Sequence, residues 1–375
     1  MQAVNIGYSP KHAAPPPAPR SSPVLRRLCT LVLGVLALGL LAAGTAVAVL
    51  RIIGDKPVRC AGPPGCAARL TGRAPAVVID ANPAFGLHKP TAIAMCHGHL
   101  WVADGTGNSV TEFGWRAGGK PVIWSGRQYR FERPTAITVG HDVIWIANSD
   151  SITEMRTTDG KVIRVVAGAG WIDKPRALVL FGRKLWVANA TSVAEINAVT
   201  GARLAILRQP RYGFSHPSAM AISHRALWVA NSGNGTVTEL DATTGAFIRI
   251  LRDKRFRFGN PISEAAGPTR LWVASPASNS LSEIDTTTAK LLKVISGQRH
   301  GIVGPAAMAL SSGRIWVANA GNSSVAEFDT ANGRLINLLA GTRYGFAAPA
   351  GVVADHGRVW VMNQAGGSVT ELIPR

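Results

Sequence analysis

A segment of 41 to 44 residues that recurs seven times predicts an all-β fold for this chain of 375 residues, namely a seven-bladed β-propeller. Each copy begins with a proline, has a tryptophan eleven residues later, and has a glutamate nine or eleven residues after the tryptophan. Each copy also contains four short apolar runs, which is the number of strands in a propeller blade. The prolines are Pro90, Pro134, Pro175, Pro217, Pro261, Pro305 and Pro349, the tryptophans are Trp101, Trp145, Trp186, Trp228, Trp272, Trp316 and Trp360, and the glutamates are Glu112, Glu154, Glu195, Glu239, Glu283, Glu327 and Glu371.

The fourth copy, residues 217–260, shows how these runs become strands A to D, counted from the inside of the ring outward. Strand B, around Trp228, is apolar on both faces, as expected when blades stack face to face and neither side meets water. We expect the seven tryptophans to be structural residues that anchor the packing between blades. Between strands C and D, the segment Asp241-Ala-Thr-Thr-Gly245 has the composition of a hairpin turn.

The seventh copy reaches Arg375 after its strand C, so its fourth strand has to come from elsewhere in the chain. A propeller without that strand would expose a sheet edge and fail to close. The segment Ala76-Val-Val-Ile-Asp80 is a lone strand-like run upstream of the first copy. We therefore predict that it completes the last blade and that the propeller occupies residues 75–375.

The chain before the propeller divides into three predicted segments. Residues 1–27 are basic and proline-rich, without an acidic residue, and indicate a disordered cytoplasmic tail. Residues 28–50 contain no charge and are long enough for one transmembrane helix, which acts as a signal anchor and places the propeller outside the cytoplasm. The alternative is a cleaved signal peptide, since Ala46-Val47-Ala48 fits a cleavage pattern, in which case the propeller is secreted.

Residues 51–74 form a linker rich in glycine and proline that contains two of the four cysteines. Because an exported linker with two close cysteines is able to form a small disulfide loop, Cys60 and Cys66 are a candidate disulfide pair. We expect the other two cysteines, Cys29 and Cys96, to be buried thiols.

The repeat resembles a known family. Trp228-Val229-Ala230-Asn231, followed by Val237-Thr238-Glu239-Leu240-Asp241 and a Thr-Gly turn, is similar to the YVTN-type propeller repeat. Related propellers include the NHL-repeat sensor domains and the streptogramin lyases. The resemblance implies the propeller fold, and it leaves function open, because such propellers serve as binding modules, as sensors and occasionally as enzymes.

Two sets of residues are candidates for metal binding, and for both we favour a structural reading. The seven glutamates would bind cations if they converged on the central channel. Arg164, Arg249 and Lys293, however, lie in strand D ten residues after Glu154, Glu239 and Glu283, which predicts ion pairs across the C–D hairpin. The histidines of the A–B turns are expected to face water, and we expect neither a metal nor a cofactor. They are His97, His99, His141, His224 and His356.

The loops from strand D to the next strand A repeat a basic and aromatic theme, and they carry the predicted ligand-binding residues. These are Trp171, Arg127, Arg130, Arg211, Tyr212, Arg255, Arg257, Arg299, His300 and Arg343. We expect the aromatic members of the Tyr-Gly-Phe segments to serve mainly in loop packing, and the arginines to be available to a ligand. The B–C loops of the second and third copies are two residues shorter than the others. This asymmetry predicts a notch with Trp171 on its floor or wall and Arg127, Arg130 and Arg211 around it.

Composition favours an anionic partner. The chain has 40 lysine and arginine residues against 21 aspartate and glutamate residues, a net charge of +19. Such a field attracts anionic polymers, headgroups or acidic proteins, and the expected location outside the cytoplasm makes nucleic acid the least favoured partner. No glycine-rich phosphate loop or Gly-x-Ser-x-Gly segment is present, so the sequence gives no positive sign of an enzyme.

The sequence thus predicts a monomeric, single-pass, membrane-anchored propeller that binds an anionic cell-envelope polymer, a glycan or a protein partner through its basic loop face. Two alternatives remain open. One is a lyase or hydrolase that uses His216 or His300, as the resemblance to the streptogramin lyases implies. The other is a purely structural adhesion protein of the cell surface.

Overall fold

The computed structural model describes residues 76–79, 85–96, 98–114, 121–140, 142–355 and 357–374. In these residues, 28 strands form seven four-stranded antiparallel sheets. The first strands of the seven sheets contact one another in a closed cycle, from β2 through β6, β10, β14, β18, β22 and β26 back to β2. The seven-bladed propeller with four-stranded blades is therefore confirmed.

Strand bounds follow the repeat. Blade 1 contains β2 (Pro90–Cys96), β3 (His99–Asp104), β4 (Ser109–Gly114) and β5 (Val122–Ser125). Blade 2 contains β6 (Ala136–Gly140), β7 (Val143–Ala147), β8 (Ser151–Arg156) and β9 (Val162–Ala167). Blade 3 contains β10 (Ala177–Phe181), β11 (Lys184–Ala188), β12 (Val193–Asn197) and β13 (Arg203–Leu207). Blade 4 contains β14 (Pro217–Ser223), β15 (Ala226–Asn231), β16 (Thr236–Asp241) and β17 (Phe247–Leu251).

The remaining blades continue the series. Blade 5 contains β18 (Ser263–Ala266), β19 (Arg270–Ser275), β20 (Ser280–Asp285) and β21 (Leu291–Ser296). Blade 6 contains β22 (Pro305–Ser311), β23 (Arg314–Asn319), β24 (Ser324–Asp329) and β25 (Leu335–Leu339). Blade 7 contains β26 (Pro349–Asp355), β27 (Arg358–Asn363), β28 (Ser368–Leu372) and, as its outermost strand, β1 (Ala76–Ile79).

Strand β1 closes the ring as the sequence predicted. It pairs antiparallel with β28, from Ala76 opposite Leu372 to Ile79 opposite Val369. The last blade is thereby completed by a strand that precedes the first blade in the chain. This pairing covers the sheet edge that β28 would otherwise expose.

The hydrophobic core lies between the blades, and the tryptophans are its largest side chains. All seven are at most 3% exposed. Trp228 of blade 4, for example, belongs to one apolar cluster with Leu271 and Val273 of blade 5. Trp186 of blade 3 also donates a hydrogen bond of 3.3 Å to the carbonyl of Ala242, in the C–D turn of blade 4. The predicted role of the tryptophans as packing anchors is confirmed.

Hydroxyl groups connect several innermost strands. The residue after the repeat proline donates a side-chain hydrogen bond to the carbonyl of the next repeat proline. The pairs are Thr91 to Pro134 at 2.6 Å, Thr135 to Pro175 at 2.6 Å, and Ser218 to Pro261 at 2.7 Å. These bonds place successive prolines side by side around the channel and so fix the positions of the residues that precede them.

Several predictions concern the chain before the propeller. Among the described residues, no helix is long and apolar enough to cross a bilayer. The predicted tail (1–27), membrane span (28–50), linker (51–74) and Cys60–Cys66 pair lie outside those residues. Cys96 forms a disulfide bond, so the expectation that it is a buried thiol is wrong. Since a cysteine forms a single disulfide, a bond from Cys96 to Cys60 or Cys66 would exclude the predicted pair between those two.

We predict that the ring depends on β1. A chain that starts at residue 85 lacks this strand and should melt at a lower temperature and aggregate, because β28 becomes an exposed edge. A chain that starts at residue 75 keeps the strand and is the matched control. Thermal unfolding and size-exclusion chromatography compare the two. Equal melting temperatures and equal monomer content would show that closure by β1 contributes nothing to stability.

Candidate ligand-binding site on the loop face

Two kinds of loop share one face of the propeller, which we call the loop face. The loops from strand D to the next strand A meet the B–C loops of the blade they enter. Backbone hydrogen bonds join them in blade after blade, among them Ser149 to the carbonyl of Glu132 at 2.9 Å and Ser232 to the carbonyl of His216 at 3.2 Å. The face is therefore a bonded layer of backbone on which side chains are displayed.

A buried chain of hydrogen bonds supports this layer from below. In blade 4, the amide of Asn231 donates to the hydroxyl of Thr238 at 3.0 Å, and that hydroxyl donates to the carbonyl of Tyr212 at 2.8 Å. Blades 2 and 7 repeat the chain with Asn148, Thr153 and Tyr129 and with Asn363, Thr370 and Tyr344. The asparagine that ends the Trp-Val-Ala-Asn segment thus positions a loop on the face. Sequence reasoning missed this role, although the recurrence of that asparagine was the available signal.

The aromatic residues of these loops pack against each other. Tyr212 and Phe214 stack with ring centroids 5.3 Å apart, and Tyr344 and Phe346 stack at 5.2 Å. Tyr212 is only 4% exposed, and Arg211 covers its ring at 5.1 Å. The expectation that the Tyr-Gly-Phe aromatics pack the loop is met, and Tyr212 presents little surface to a ligand.

The predicted basic residues lie at the outer rim of the loop face. Most belong to 3-10 turns that directly follow the outermost strands: Arg127–Tyr129, Pro210–Tyr212, Lys254–Phe256, Gln298–His300 and Thr342–Tyr344. The turn Pro210–Tyr212 contacts β17 of blade 4, and Lys254–Phe256 contacts β21 of blade 5. The turns therefore bridge neighbouring blades and spread their cations around the rim. The exposed residues are Arg127, Arg130, Arg211, Arg255, Arg257, Arg299, His300 and Arg343.

Some of these rim residues already have partners. Arg255 pairs with Asp253 at 2.7 Å, and Arg257 donates to the hydroxyl of Ser296 at 3.0 Å. A ring nitrogen of His300 lies 2.8 Å from the backbone carbonyl of Ser296. These contacts hold the side chains along the rim.

Trp171 is half-buried and folds back over its own loop. A Cβ atom on Gly168 would lie 1.6 Å from the indole nitrogen, so glycine is required there. Arg203 of strand β13 lies over the indole ring at 5.8 Å. Arg203 was not among the predicted residues, while Arg130 and Arg211 lie in the loops that enter blades 2 and 4, on either side of the loop that carries Trp171.

A second set of cations lies at the mouth of the channel, where sequence reasoning did not look. The residue before each repeat proline sits beside the innermost strand, and in blades 1 to 4 it is basic. We call these four the inner arc: Lys89, Arg133, Lys174 and His216, all exposed. Blades 5 to 7 have Asn260, Gly304 and Ala348 at the same position. The channel mouth is thus basic on one side and neutral on the other.

The backbone of the inner arc is strained. Arg133, Lys174 and His216 have φ values of 46°, 47° and 49°, in the left-handed region that favours glycine. This conformation costs a residue with a side chain roughly 1–2 kcal/mol. Blade 6 has Gly304 there, with a φ of 57°, so the position itself accepts glycine. Asn260 and Ala348 have the same conformation in blades 5 and 7, with φ values of 57° and 46°, so it is a property of this loop position in six of the blades.

Carboxylates accompany two members of the arc. Glu132 and Asp173 immediately precede Arg133 and Lys174, and both are exposed. Among the described residues, neither carboxylate forms an ion pair within 4.0 Å of a basic group. The arc therefore offers cations in blades 1 to 3, a histidine in blade 4, and carboxylate acceptors in blades 2 and 3.

Each of the seven repeat glutamates pairs with a basic residue of its own blade. Each glutamate lies directly opposite the tryptophan of its blade, as Glu239 lies opposite Trp228. The predicted C–D pairs are confirmed in blades 2 and 4, where Glu154 meets Arg164 at 2.6 Å and Glu239 meets Arg249 at 2.9 Å. In blade 5 the predicted partner Lys293 lies opposite Glu283 and donates to the carbonyl of Asn332, while Arg270 forms the ion pair. Outside blades 2 and 4 the partner comes from strand B, two residues before the tryptophan, and in blade 1 it is a histidine. Those pairs are His99–Glu112, Lys184–Glu195, Arg270–Glu283, Arg314–Glu327 and Arg358–Glu371.

Strand D supplies an arginine in the two blades whose strand B lacks a basic residue next to the glutamate. Blades 2 and 4 have Val143 and Ala226 at the strand-B position, and these are the blades in which strand D supplies an arginine. Burial raises the pKa of Glu154, Glu239 and Glu283, and the neighbouring cations partly offset that rise. The glutamates thus serve structure, and no group of three or more possible metal ligands exists among the described residues.

Comparison with known proteins gives likeness of fold. No family model and no curated relative matches the chain. Virginiamycin B lyase from Staphylococcus aureus is similar over 81% of this chain and 99% of its own, with 15% identity and a TM-score of 0.68. A catalytically inactive histidine-to-alanine variant of that lyase, solved with quinupristin, is similar over 80% of this chain and 99% of its own, with 16% identity and a TM-score of 0.68.

Other propellers are also similar. A β-propeller domain from Myceliophteria thermophila covers 76% of this chain and 97% of its own, with 11% identity and a TM-score of 0.64. At such identities the likeness establishes the propeller fold, with virginiamycin B lyases among the structural neighbours. The resemblance to the YVTN-type repeat stays a prediction.

We predict that the cation of a blade is transferable between its two positions. Arg164→Met should lower the free energy of unfolding by about 1–3 kcal/mol, because Glu154 is left buried without its partner. Adding Val143→Arg to that variant should restore at least half of the loss, since the new guanidinium occupies the position used by Arg270 in blade 5. Urea denaturation of the wild type and both variants measures this. Failure of the second change to restore stability would mean that the two positions are not equivalent.

Proposed function

We propose that the protein is a binding module that recognises an anionic, glycan-like polymer on its loop face. The observation that carries the proposal is the inner arc, three cations and a histidine on four consecutive blades at the channel mouth. All four are exposed, and the equivalent residues of blades 5 to 7 are uncharged. Basic residues gathered on one side of the channel mouth concentrate positive potential there, which favours contact with an anion.

The rim arginines have a separate part in this proposal. They surround the face at successive blade boundaries, and the whole chain carries a net charge of +19. Such a field raises the rate at which an anionic polymer meets the face, while short-range contacts at the inner arc hold it. Carboxylates such as Glu132 and Asp173 would accept hydrogen bonds from sugar hydroxyls.

The proposed setting is the outer side of a membrane. The uncharged segment 28–50 would anchor a monomeric propeller by a single span, with residues 1–27 in the cytoplasm. An anionic cell-envelope polymer is a ligand that this location makes accessible. A protein partner with an acidic surface would meet the same cations, and nucleic acid is not expected there.

A second candidate function is that of a lyase. Its support is the structural similarity to virginiamycin B lyase, of which a histidine-to-alanine variant is catalytically inactive. His216 is the better candidate for a catalytic base here, because it is exposed at the channel mouth. Its ring lies over the B–C loop, where a Cβ on Gly233 would come within 2.6 Å of Nδ1. His300 lies at the rim, next to the Ser296 carbonyl.

We expect loss of three inner-arc charges to weaken binding of a sulfated glycan by at least about tenfold, since each close contact with an anion contributes on the order of 1 kcal/mol. The variant combines Lys89→Ala, Arg133→Ala and Lys174→Ala. Binding is measured by isothermal titration over a salt series. Saturable binding of an anionic polypeptide but not of a sulfated glycan would favour a protein partner, and saturable binding of neither would contradict the proposal.

The matched control removes three charges from the rim, with Arg127→Ala, Arg130→Ala and Arg211→Ala. The proposal expects this control to lower affinity less than the inner-arc variant and mainly at low salt. A larger loss in the control would place the ligand at the predicted notch near Trp171. Equal losses would indicate binding spread around the whole ring, as the adhesion alternative requires.

The lyase candidate has its own test. Conversion of quinupristin in the presence of a divalent cation, followed by liquid chromatography, should occur in the wild type, be lost in His216→Ala and persist in His300→Ala. The absence of conversion by folded wild-type protein with each of several divalent cations would remove this candidate function.

A further inference from the structure

One buried acid of the propeller is not explained by the ion pairs or by the loop face. Glu264 lies on β18, the innermost strand of blade 5, opposite Val273. In the other six blades the equivalent residue on the innermost strand is apolar. Those residues are Ile93, Ile137, Leu178, Met220, Met308 and Val352. A carboxyl group therefore occupies a position that the fold otherwise reserves for core packing.

The carboxyl group of Glu264 has no cationic partner among the described residues. The residue is 2% exposed, and neither of its side-chain oxygens makes a hydrogen bond. The backbone N–H of Ala230 on β15 is close enough to favour the charged form, although it forms no well-aligned hydrogen bond. Burial nevertheless raises the pKa of this carboxyl group well above its ordinary value of 4.5.

The surrounding strands offer almost no charge. Among the described elements packed against β18, strands β14 and β22 contain no titratable residue, and neither does β15. Strand β19 contributes Arg270, which is already paired with Glu283 at 3.1 Å and Asp285 at 3.3 Å. The small residues Ala219 and Ala230 form an apolar cluster with Ile262 at the same boundary. Ionisation of Glu264 would thus leave an isolated charge among apolar groups, a state that proteins avoid by keeping the proton.

Glu264 lies midway along the boundary between blades 4 and 5, and a hydrogen bond joins the two blades at each end of that boundary. Toward the loop face, Ser218 donates a hydrogen bond to the carbonyl of Pro261 at 2.7 Å. At the opposite end, Ser223 donates to the carbonyl of Gly267 at 2.8 Å. Both bonds join the innermost strand of blade 4 to blade 5. Water would reach Glu264 only if these innermost strands moved apart.

We propose that protonation of Glu264 controls the boundary between blades 4 and 5. The two innermost strands stay packed while the carboxyl group is protonated and separate more readily when it ionises. Loss of the proton converts a tolerated buried acid into an unpaired charge, and separation of β14 from β18 is the local motion that would hydrate it. At the other six boundaries the equivalent described residue is apolar, so the ring opens at this place first. This device operates whether or not the loop face binds the ligand proposed above.

The pH dependence has a defined sign. The folded state holds the Glu264 proton more tightly than the unfolded state, so the contribution of this residue to stability is greatest below about pH 4.5. It is lost as the pH rises through the folded-state pKa. Each unit by which that pKa exceeds the unfolded value corresponds to about a tenfold change in the opening equilibrium.

Hydrogen exchange tests whether the boundary between blades 4 and 5 opens with rising pH. It is measured on the whole protein at about pH 5 and about pH 9 and corrected for the intrinsic pH dependence of exchange. In the wild type, protection of peptides from β14, β15, β18 and β19 should fall at least about tenfold at the higher pH, with little change in β22 and β23. Glu264→Gln should reduce that fall to less than about twofold. Glu264→Met, which places in blade 5 the residue found in blades 4 and 6, should remain protected at both pH values.

Two results would overturn the proposal. One is an equal loss of protection in the wild type and in Glu264→Gln, which would assign the effect to other groups. The other is a loss spread evenly over all blades in the wild type. If Glu264→Gln were poorly folded, Glu264→Met still decides, because it lacks a titratable group and its side chain suits the site. The infrared carbonyl band of a protonated carboxylic acid, stronger in the wild type than in both variants at about pH 5, reports the proton directly.

Discussion

Burial of one tryptophan at each boundary between blades is the interaction on which the rest of this structure depends. A blade has two apolar faces, and neither is covered until neighbours stand on both sides, so no blade is stable alone. The ring must therefore close, which requires a fourth strand in the last blade. The same packing places a glutamate opposite each tryptophan, away from bulk water, and each glutamate then needs a cation. Closure and charge pairing are both consequences of the buried indole rings.

The loop face has an outer zone of charge at the rim and an inner zone at the channel mouth, and one type of loop connects them. Each D-to-A loop starts at the rim, next to the outermost strand, and ends at the channel mouth, next to the innermost strand. A charge near its start contributes to the field around the molecule, and a charge near its end is displayed at the mouth. Arg211 and His216, five positions apart in one loop, illustrate the two zones. The buried Asn231–Thr238–Tyr212 chain keeps the loop in this radial course.

Much of the fold could be predicted from the sequence, because the period, the proline and the tryptophan keep their phase in all seven copies. The role of Ala76–Ile79 followed from counting strands. The inner arc was missed because Lys89, Arg133, Lys174 and His216 differ in type and are scattered over 128 positions of the sequence, so that only the closed ring brings them to one side of the mouth. Most glutamate partners were missed because the search followed the hairpin spacing to strand D, while five of the seven partners lie on strand B. Glu264 was detectable as a single acid in a column of apolar residues, but its burial on both sides is a property of the assembled ring.

Closure by β1 also gives the molecule a direction of mechanical weakness. Force that reaches the propeller along the chain before Ala76 acts first on the four backbone pairings between β1 and β28. These pairings are between strands that are far apart in sequence, so their rupture releases β1 without unfolding any other strand. A propeller tethered through its N-terminal side would therefore respond to tension by opening its last blade, and blades 1 to 6 would remain intact until a higher load.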